Sequence, residues 1–405
     1  MINMASISMT PAGLKVPDDI TVPFITGDGI GKEIMPVCQA VVDAAVHQAY
    51  NGNRSIEWLE VMAGENAFKQ VGAYLPDETV AAFRQYLVGL KGPLKTPSGR
   101  GVRSLSVMLR QALDLYACQR PFRYFFGVAS PVKYPERINI CVFRESTEDV
   151  YAGIEWPFGS EKGIRFGRFL LQELQEEKIR FPESTAYGVK PVSREGTERI
   201  IRCAIEYALS HNRRSVTLVH NGNIMKYTEG AFVNWAYDVA EREYGTYLSS
   251  GRLLLTGITC DAFLQNAILH PEEYGVIVTS NLNGDYISDV FAAQVGGVGM
   301  SPGGNINFET GHAIFEATHG VASDIVGRNV ANPSSLILAA SMMLEYLGWK
   351  EASDLIVTAI ERTLRQGITT ADVADSYKHS NCVGTREFGE AVVSMMTSGS
   401  RFNIR

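Results

Sequence analysis

Short apolar runs alternate along the chain with stretches of helical periodicity. Residues 21–26 read as a strand and 34–50 as the helix after it, and the same pair recurs at 87–91 with 105–113 and at 215–219 with 231–242. Such alternation predicts an α/β fold. The predicted helix over 197–209 places Ile200, Ile201, Ala204, Ile205 and Ala208 on one face, a stripe that belongs in a core. Between residues 151 and 193 the pattern changes. A charged helix around 169–177 is followed by two short strand-like runs, 178–182 and 186–191, which read as an insertion able to pair with another chain.

Length and composition narrow the class. The 405 residues suffice for two or three domains, and 45% hydrophobic with 20% charged residues is ordinary for a globular protein. A net charge of -7 argues against a nucleic-acid partner. The six cysteines lack metal-site spacing and read as buried thiols in a reducing compartment. Residues 1–16 do not read as a signal peptide, and no apolar run approaches the roughly 20 residues of a membrane span. A cytoplasmic protein is expected.

Candidate chemistry begins at Asn281-Leu-Asn-Gly-Asp-Tyr-Ile-Ser-Asp289, directly after an apolar strand at 274–278. On a helix, Asp285 and Asp289 stand one turn apart on one face, at a mutual electrostatic cost that a divalent cation would remove. Hard oxygen donors suit Mg²⁺ or Mn²⁺. The other reading is a solvated helix start, with Asp285 favoured by the helix dipole. Gly27-Asp-Gly-Ile-Gly31 lacks the spacing of a dinucleotide-binding phosphate loop and reads as a tight strand-to-helix turn, so no Rossmann domain is expected. Arg110, Arg120 and Arg144 fall near element ends, and beside an acidic pair their planar forks point to a polycarboxylate pocket.

These motifs, with Lys91-Gly-Pro-Leu, Arg103-Ser-Leu, Phe143-Arg-Glu, Glu148 to Glu155, Gly222 to Gly230 and Phe315-Glu-Ala-Thr-His-Gly320, run in order along nearly the whole chain. In this respect the chain resembles the metal-dependent β-decarboxylating dehydrogenases, specifically bacterial homodimeric isocitrate dehydrogenases. The resemblance implies a large α/β domain from residues 1–115 and 297–405, a small one from 116–148 and 194–296, and a dimerising clasp from 149–193. It implies active sites shared between subunits, with Ser104, Ser106, Arg110, Arg120, Arg144 and Asn223 around the substrate. Tyr151 would be the general acid that protonates the enolate. Asp285 and Asp289 would hold Mg²⁺ or Mn²⁺ with Asp261 of the other subunit. Thr96, Glu316, His319, Gly320, Asp324, Ile325, Asn332 and Asp372 would surround the dinucleotide.

Several positions depart from the family pattern. Relatives that use NADP continue the His-Gly loop with Thr-Ala-Pro-Lys-Tyr and add a later Tyr and Arg on the 2′-phosphate. Here the loop reads His319-Gly-Val-Ala-Ser-Asp-Ile325, and the later positions are Ala371 and Asp375. A carboxylate at 324 accepts hydrogen bonds from ribose hydroxyls and repels a phosphate, which points to NAD. Asn221 replaces the family lysine that accepts a proton, and an amide cannot do so. Asp261 or a water activated by the metal remains as the carrier, because Lys226 matches a second family lysine and reads as structural. Ser106 replaces an Asn, while Lys95 and Arg100 add cations in the loop before Ser104. These changes leave two substrates open: isocitrate or a close analogue, and one with a more anionic distal group such as 3-(phosphonomethyl)malate. A catalytically silent regulatory subunit is the alternative of another class.

Overall fold

The computed structural model describes residues 6–95, 104–374 and 381–397. Thr96, Arg100, Arg103 and Asp375 lie outside them. A ten-stranded mixed sheet organises the chain, with strands in the order Leu254–Thr259, Ser215–His220, Val276–Thr279, Asn139–Glu145, Ala117–Arg123, Pro302–Ile306, Ala313–Ala317, Val88–Lys91, Asp19–Ile25 and Ser55–Glu60. The first four are mutually parallel, as are the last four. Antiparallel pairings of Ala117–Arg123 and Pro302–Ile306 join the two wings at the centre. This is the α/β class that the alternation predicts.

The predicted elements appear with boundaries shifted by a few residues. The helix Arg194–Ser210 starts at Ser193, whose hydroxyl accepts from Gly196 N–H at 3.0 Å, and all five residues of its predicted stripe are buried. One core cluster draws on the N- and C-terminal parts of the chain, from Ile7 to Val128 and from Met300 to Met396. Two others draw only on residues between Tyr116 and Val295. The glycine turn after Asp19–Ile25 is shaped by packing. A Cβ on Gly27 would meet Pro93 O at 2.4 Å, and one on Gly29 would meet Val321 O at 2.1 Å. Buried Asp28 accepts from the N–H groups of Glu65 and Lys95.

In the insertion, the helix comes earlier than predicted. Ser160 caps Glu161–Arg168, and a π-helical turn, Phe169–Glu173, ends it. Residues 178–182 do not form a strand. Tyr187–Gly188 pairs instead with Glu155–Trp156, a run too short to carry an alternation signal. Phe158 and Phe181 of this insertion are 62% and 64% exposed. The cysteine expectation holds for Cys38, Cys118 and Cys141, whereas Cys203 and Cys260 are half-buried and Cys382 is exposed; all six are free. Among the described residues, no helix is long and apolar enough to cross a membrane.

Candidate active site

The helix Asn281–Gln294 follows the buried strand Val276–Thr279 after one residue. It starts at Asn281, so Asp285 sits in the second turn and the first turn holds no acidic residue. A dipole effect confined to the first turn therefore does not account for Asp285. Its surroundings do. One carboxylate oxygen takes a short contact from Arg144 Nη1 and lies 3.8 Å from Arg120 Nη1, while the other accepts from the Tyr151 hydroxyl at 3.1 Å. Burial alone would raise the Asp285 pKa, but Arg144 and Arg120 outweigh it and hold the carboxyl below its usual range.

Arg144, at the carboxyl end of its strand, is almost wholly buried. Burial, with Arg120 and Arg110 close by, pulls its guanidinium down to about 10. That mutual repulsion places all three predicted arginines in one cluster. An anion would relieve it, and the Nε of buried Arg120 has no hydrogen-bond partner among the described residues. Two residues outside the predicted set fix Arg144. Asn281 Oδ1 accepts from its Nε at 2.7 Å, and a Cβ on Gly284 would meet its Cβ and Cγ at 2.6 and 2.7 Å. Only glycine lets the arginine pass this close to the helix. Ser104 is the N-cap residue of Leu105–Ala112, which carries Ser106 and Arg110; Arg110 Nε donates to Ser106 O at 3.3 Å.

Tyr151 stands in a turn beside Arg144. Burial and the neighbouring Asp285 carboxylate keep its phenol above its usual range, so it carries its proton at neutral pH. Asp149, two residues earlier, has φ 68° and ψ -169°, backbone that non-glycine residues adopt at a cost of about 1–3 kcal/mol. Its buried carboxylate accepts from Leu282 N–H at 2.9 Å and from Lys190 Nζ at 2.6 Å. Lys190 also donates to buried Glu229 at 2.8 Å, and Glu229 accepts from Asn283 Nδ2 and from the backbone N–H of Asn221.

The remaining predicted residues divide into those held within the chain and those facing outward. Glu316 accepts from Asn305 Nδ2 at 2.7 Å and pairs with buried Lys91 at 2.6 Å. Burial would raise its carboxyl, but Lys91 and Arg110 bring it down to about 2. Both Glu316 oxygens are thus engaged within the chain. His319 Nε2 is buried without a partner among the described residues; burial depresses the imidazole pKa, and Nδ1 contacts Gly320 O at 2.9 Å. Gly320 has open space where a Cβ would be. Asn332 Nδ2 donates to Asp372 at 3.1 Å, and Ile325 packs on the large core cluster. Asp324 is exposed, with no hydrogen bond or ion pair among the described residues.

The ammonium of Lys95 pairs with Glu65 at 2.8 Å on the neighbouring helix Glu65–Val71, and both side chains stay exposed. Asn221 Nδ2 donates to Asn283 at 3.4 Å. Asn223 and Lys226 are exposed, the latter without a partner among the described residues, contrary to a structural role within one chain. Ile224 and Tyr227 beside them are 78% and 94% exposed. Asp261 and Asp289 are exposed too, and no group of three His, Cys, Asp or Glu residues that could hold a metal occurs among the described residues.

The donor sets fit the groups the sequence implies. Asp285 and Asp289 offer hard oxygens on successive turns, and the unpartnered His319 Nε2 beside open Gly320 offers a polar atom that a bound nucleotide would satisfy. Three arginines around an acidic group and a protonated phenol define a site for a small polyanion. Comparison with known proteins then supplies the class. The profile of the isocitrate/isopropylmalate dehydrogenase family matches residues 21–392. The chain is 53% identical over 390 residues to the NADP isocitrate dehydrogenase of Streptococcus salivarius, covering 96% of this chain and 99% of that protein. It is 52% identical over 402 residues to the NADP isocitrate dehydrogenase of Coxiella burnetii, covering 96% and 94%. Isocitrate dehydrogenase from Methylococcus capsulatus, a crystal structure, superposes with a TM-score of 0.79 at 35% identity over 93% of this chain and 99% of that one. The chain therefore belongs to the isocitrate/isopropylmalate dehydrogenase family.

Proposed function

We propose that this protein catalyses the NAD- and Mg²⁺- or Mn²⁺-dependent oxidative decarboxylation of isocitrate, or of a close isocitrate-like 2-hydroxy acid, as a homodimer with shared active sites. The observation that carries the reading is the convergence of Arg120 and Arg144 on Asp285 beside Tyr151, with Arg110 close enough to Arg144 to repel it. The arginines would hold the substrate carboxylates, supplying rate through positioning. When bound, the cation would polarise the substrate's 2-hydroxyl oxygen and balance the enolate charge, and NAD would accept the hydride. Asp285 and Asp289 would hold that cation, with Asp261 of a second copy. Tyr151 would donate its hydroxyl proton to the enolate carbon once carbon dioxide has left.

The dimer reading draws on the exposed positions of Asp261, Asn223, Ile224 and Tyr227, together with the apolar surface of the insertion that we take as the clasp. The domain division expected from the resemblance remains part of this proposal. Specificity for NAD departs from the NADP isocitrate dehydrogenases the chain is similar to and rests on Asp324, whose free carboxylate would accept from ribose hydroxyls. Its test is the ratio of kcat/KM for NAD and NADP: a preference for NADP overturns that part. A more anionic distal group finds less support, since Lys95 is engaged by Glu65. NADH formation with isocitrate and Mg²⁺, compared with 3-(phosphonomethyl)malate, decides the substrate, and inactivity towards both supports a silent subunit.

A further inference from the structure

We infer that Lys190 is a positioning residue that locks the general acid Tyr151 to the metal-binding helix and to the loop carrying Asn221. This deepens the function proposed above and rests on it. Three chain segments that supply chemistry meet at this one ammonium. Asp149 holds the turn bearing Tyr151, accepts from the first turn of Asn281–Gln294 through Leu282 N–H, and receives Lys190 at 2.6 Å. Glu229, at the start of Glu229–Ser249, receives Lys190 at 2.8 Å, takes Asn283 Nδ2 from the same metal-binding helix at 3.1 Å, and accepts from Asn221 N–H.

Both carboxylates are 1% exposed, and neither touches the predicted substrate contacts. Two buried anions so close would repel and spread their segments apart without a cation between them. The strained backbone at Asp149 points the same way, because φ of 68° persists only where the surroundings over-determine it. Lys190 lies just beyond Tyr187–Gly188, at the point where the insertion rejoins the sheet domain. It therefore also ties the inserted subdomain to the catalytic turn. In a dimer whose sites are shared, Tyr151 and Asp285 would serve one site while Asn221 serves the other. Lys190 then holds elements of two sites in one register.

The test uses the full-length protein. Lys190→Met leaves two buried anions unpaired and risks misfolding, so the informative variant is Lys190→Met with Glu229→Gln, which removes one charge of each sign. Two readouts are taken. The first is Mg²⁺-dependent exchange of the C3 protons of 2-oxoglutarate for deuterium in D₂O, followed by NMR, which requires Tyr151 and no nicotinamide. The second is amide hydrogen exchange at Val150 and Leu282, whose N–H groups donate to Asp149.

The expected result is exchange of the C3 protons about 10- to 100-fold slower than wild type. KM for the substrate should hold within about threefold, since the arginine anchors remain. Protection should be lost at both amides, and Lys190→Arg should recover most of the rate. A folded double variant that exchanges C3 protons at the wild-type rate, or keeps both amides protected, overturns the inference. If the wild type itself exchanges no C3 protons, the functional reading fails instead, and the amide protection alone decides the role of Lys190.

Discussion

The two halves of the candidate site differ in how finished they are. Around Asp285, one chain supplies a closed set of contacts. Arg144, Arg120 and Tyr151 surround the carboxylate, Asn281 and Gly284 fix Arg144, and the Lys190 network fixes the turn bearing Tyr151. Around Asn223 to Tyr227 and Asp261, the same chain leaves chemistry and apolar surface facing solvent. Buried charge must be compensated locally and so reveals its partners. Exposed aromatic and acidic groups carry no such record of their partners. The contrast is what the proposed shared site would require of a single subunit.

Changes in the finished half should damage chemistry and leave association intact. Tyr151→Phe removes the donated proton and should lower kcat about 10²- to 10⁴-fold, with substrate KM little changed, measured by steady-state kinetics. Gly284→Ala should push Arg144 off its seat and raise KM for the substrate by roughly tenfold or more, at a cost equivalent to about 1.4 kcal/mol per decade. In the outward half, Tyr227→Asp should instead weaken the proposed dimer, so that activity becomes dependent on protein concentration; sedimentation equilibrium reads the association directly. An unchanged dimer would break the comparison there. Asp324→Lys tests the cofactor edge and should shift preference from NAD towards NADP by about 1–2 kcal/mol in kcat/KM.

The smallest effect is on stability. Glu316 has its folded-state carboxyl at about 2 against an ordinary 4.5, so its pairing with Lys91 contributes fully above pH 4.5 and is lost as the pH falls towards 2. Glu316→Gln should lower Tm at pH 7 by leaving Lys91 unpaired, and should flatten the fall in Tm over that acid window. Thermal melts across pH give the slope.

The sequence carried the finished half unevenly. Asp285 and the three arginines were legible because charged residues near element ends are costly without a reason, whereas Tyr151 came only through the family resemblance. Asn281, Gly284, Asp149, Lys190 and Glu229 do not stand out in the sequence, although Asn281 and Gly284 lie inside the motif that carries the acidic pair. Their roles depend on which side chains cross from other segments, and one helix's periodicity does not encode that. Gly284 inside the helix was the available signal, since glycine there costs stability unless something passes close by. The α/β alternation was clear from apolar runs, whereas the pairing of Tyr187–Gly188 with Glu155–Trp156 was not, because two-residue strands hold no period. The pairing of Lys95 with Glu65 was not legible either, because the partner sits on another element.

The most direct test of the shared site is subunit mixing. Asp285→Asn and Asp261→Asn are made separately, each expected to be inactive as a homodimer, then unfolded together, refolded and assayed for NADH formation with isocitrate and Mg²⁺. A shared site places both intact aspartates in one of the two sites of each hybrid, so activity should return to about a quarter of wild type at equal mixing. No recovery, with hybrid dimers demonstrably formed, would contradict the account.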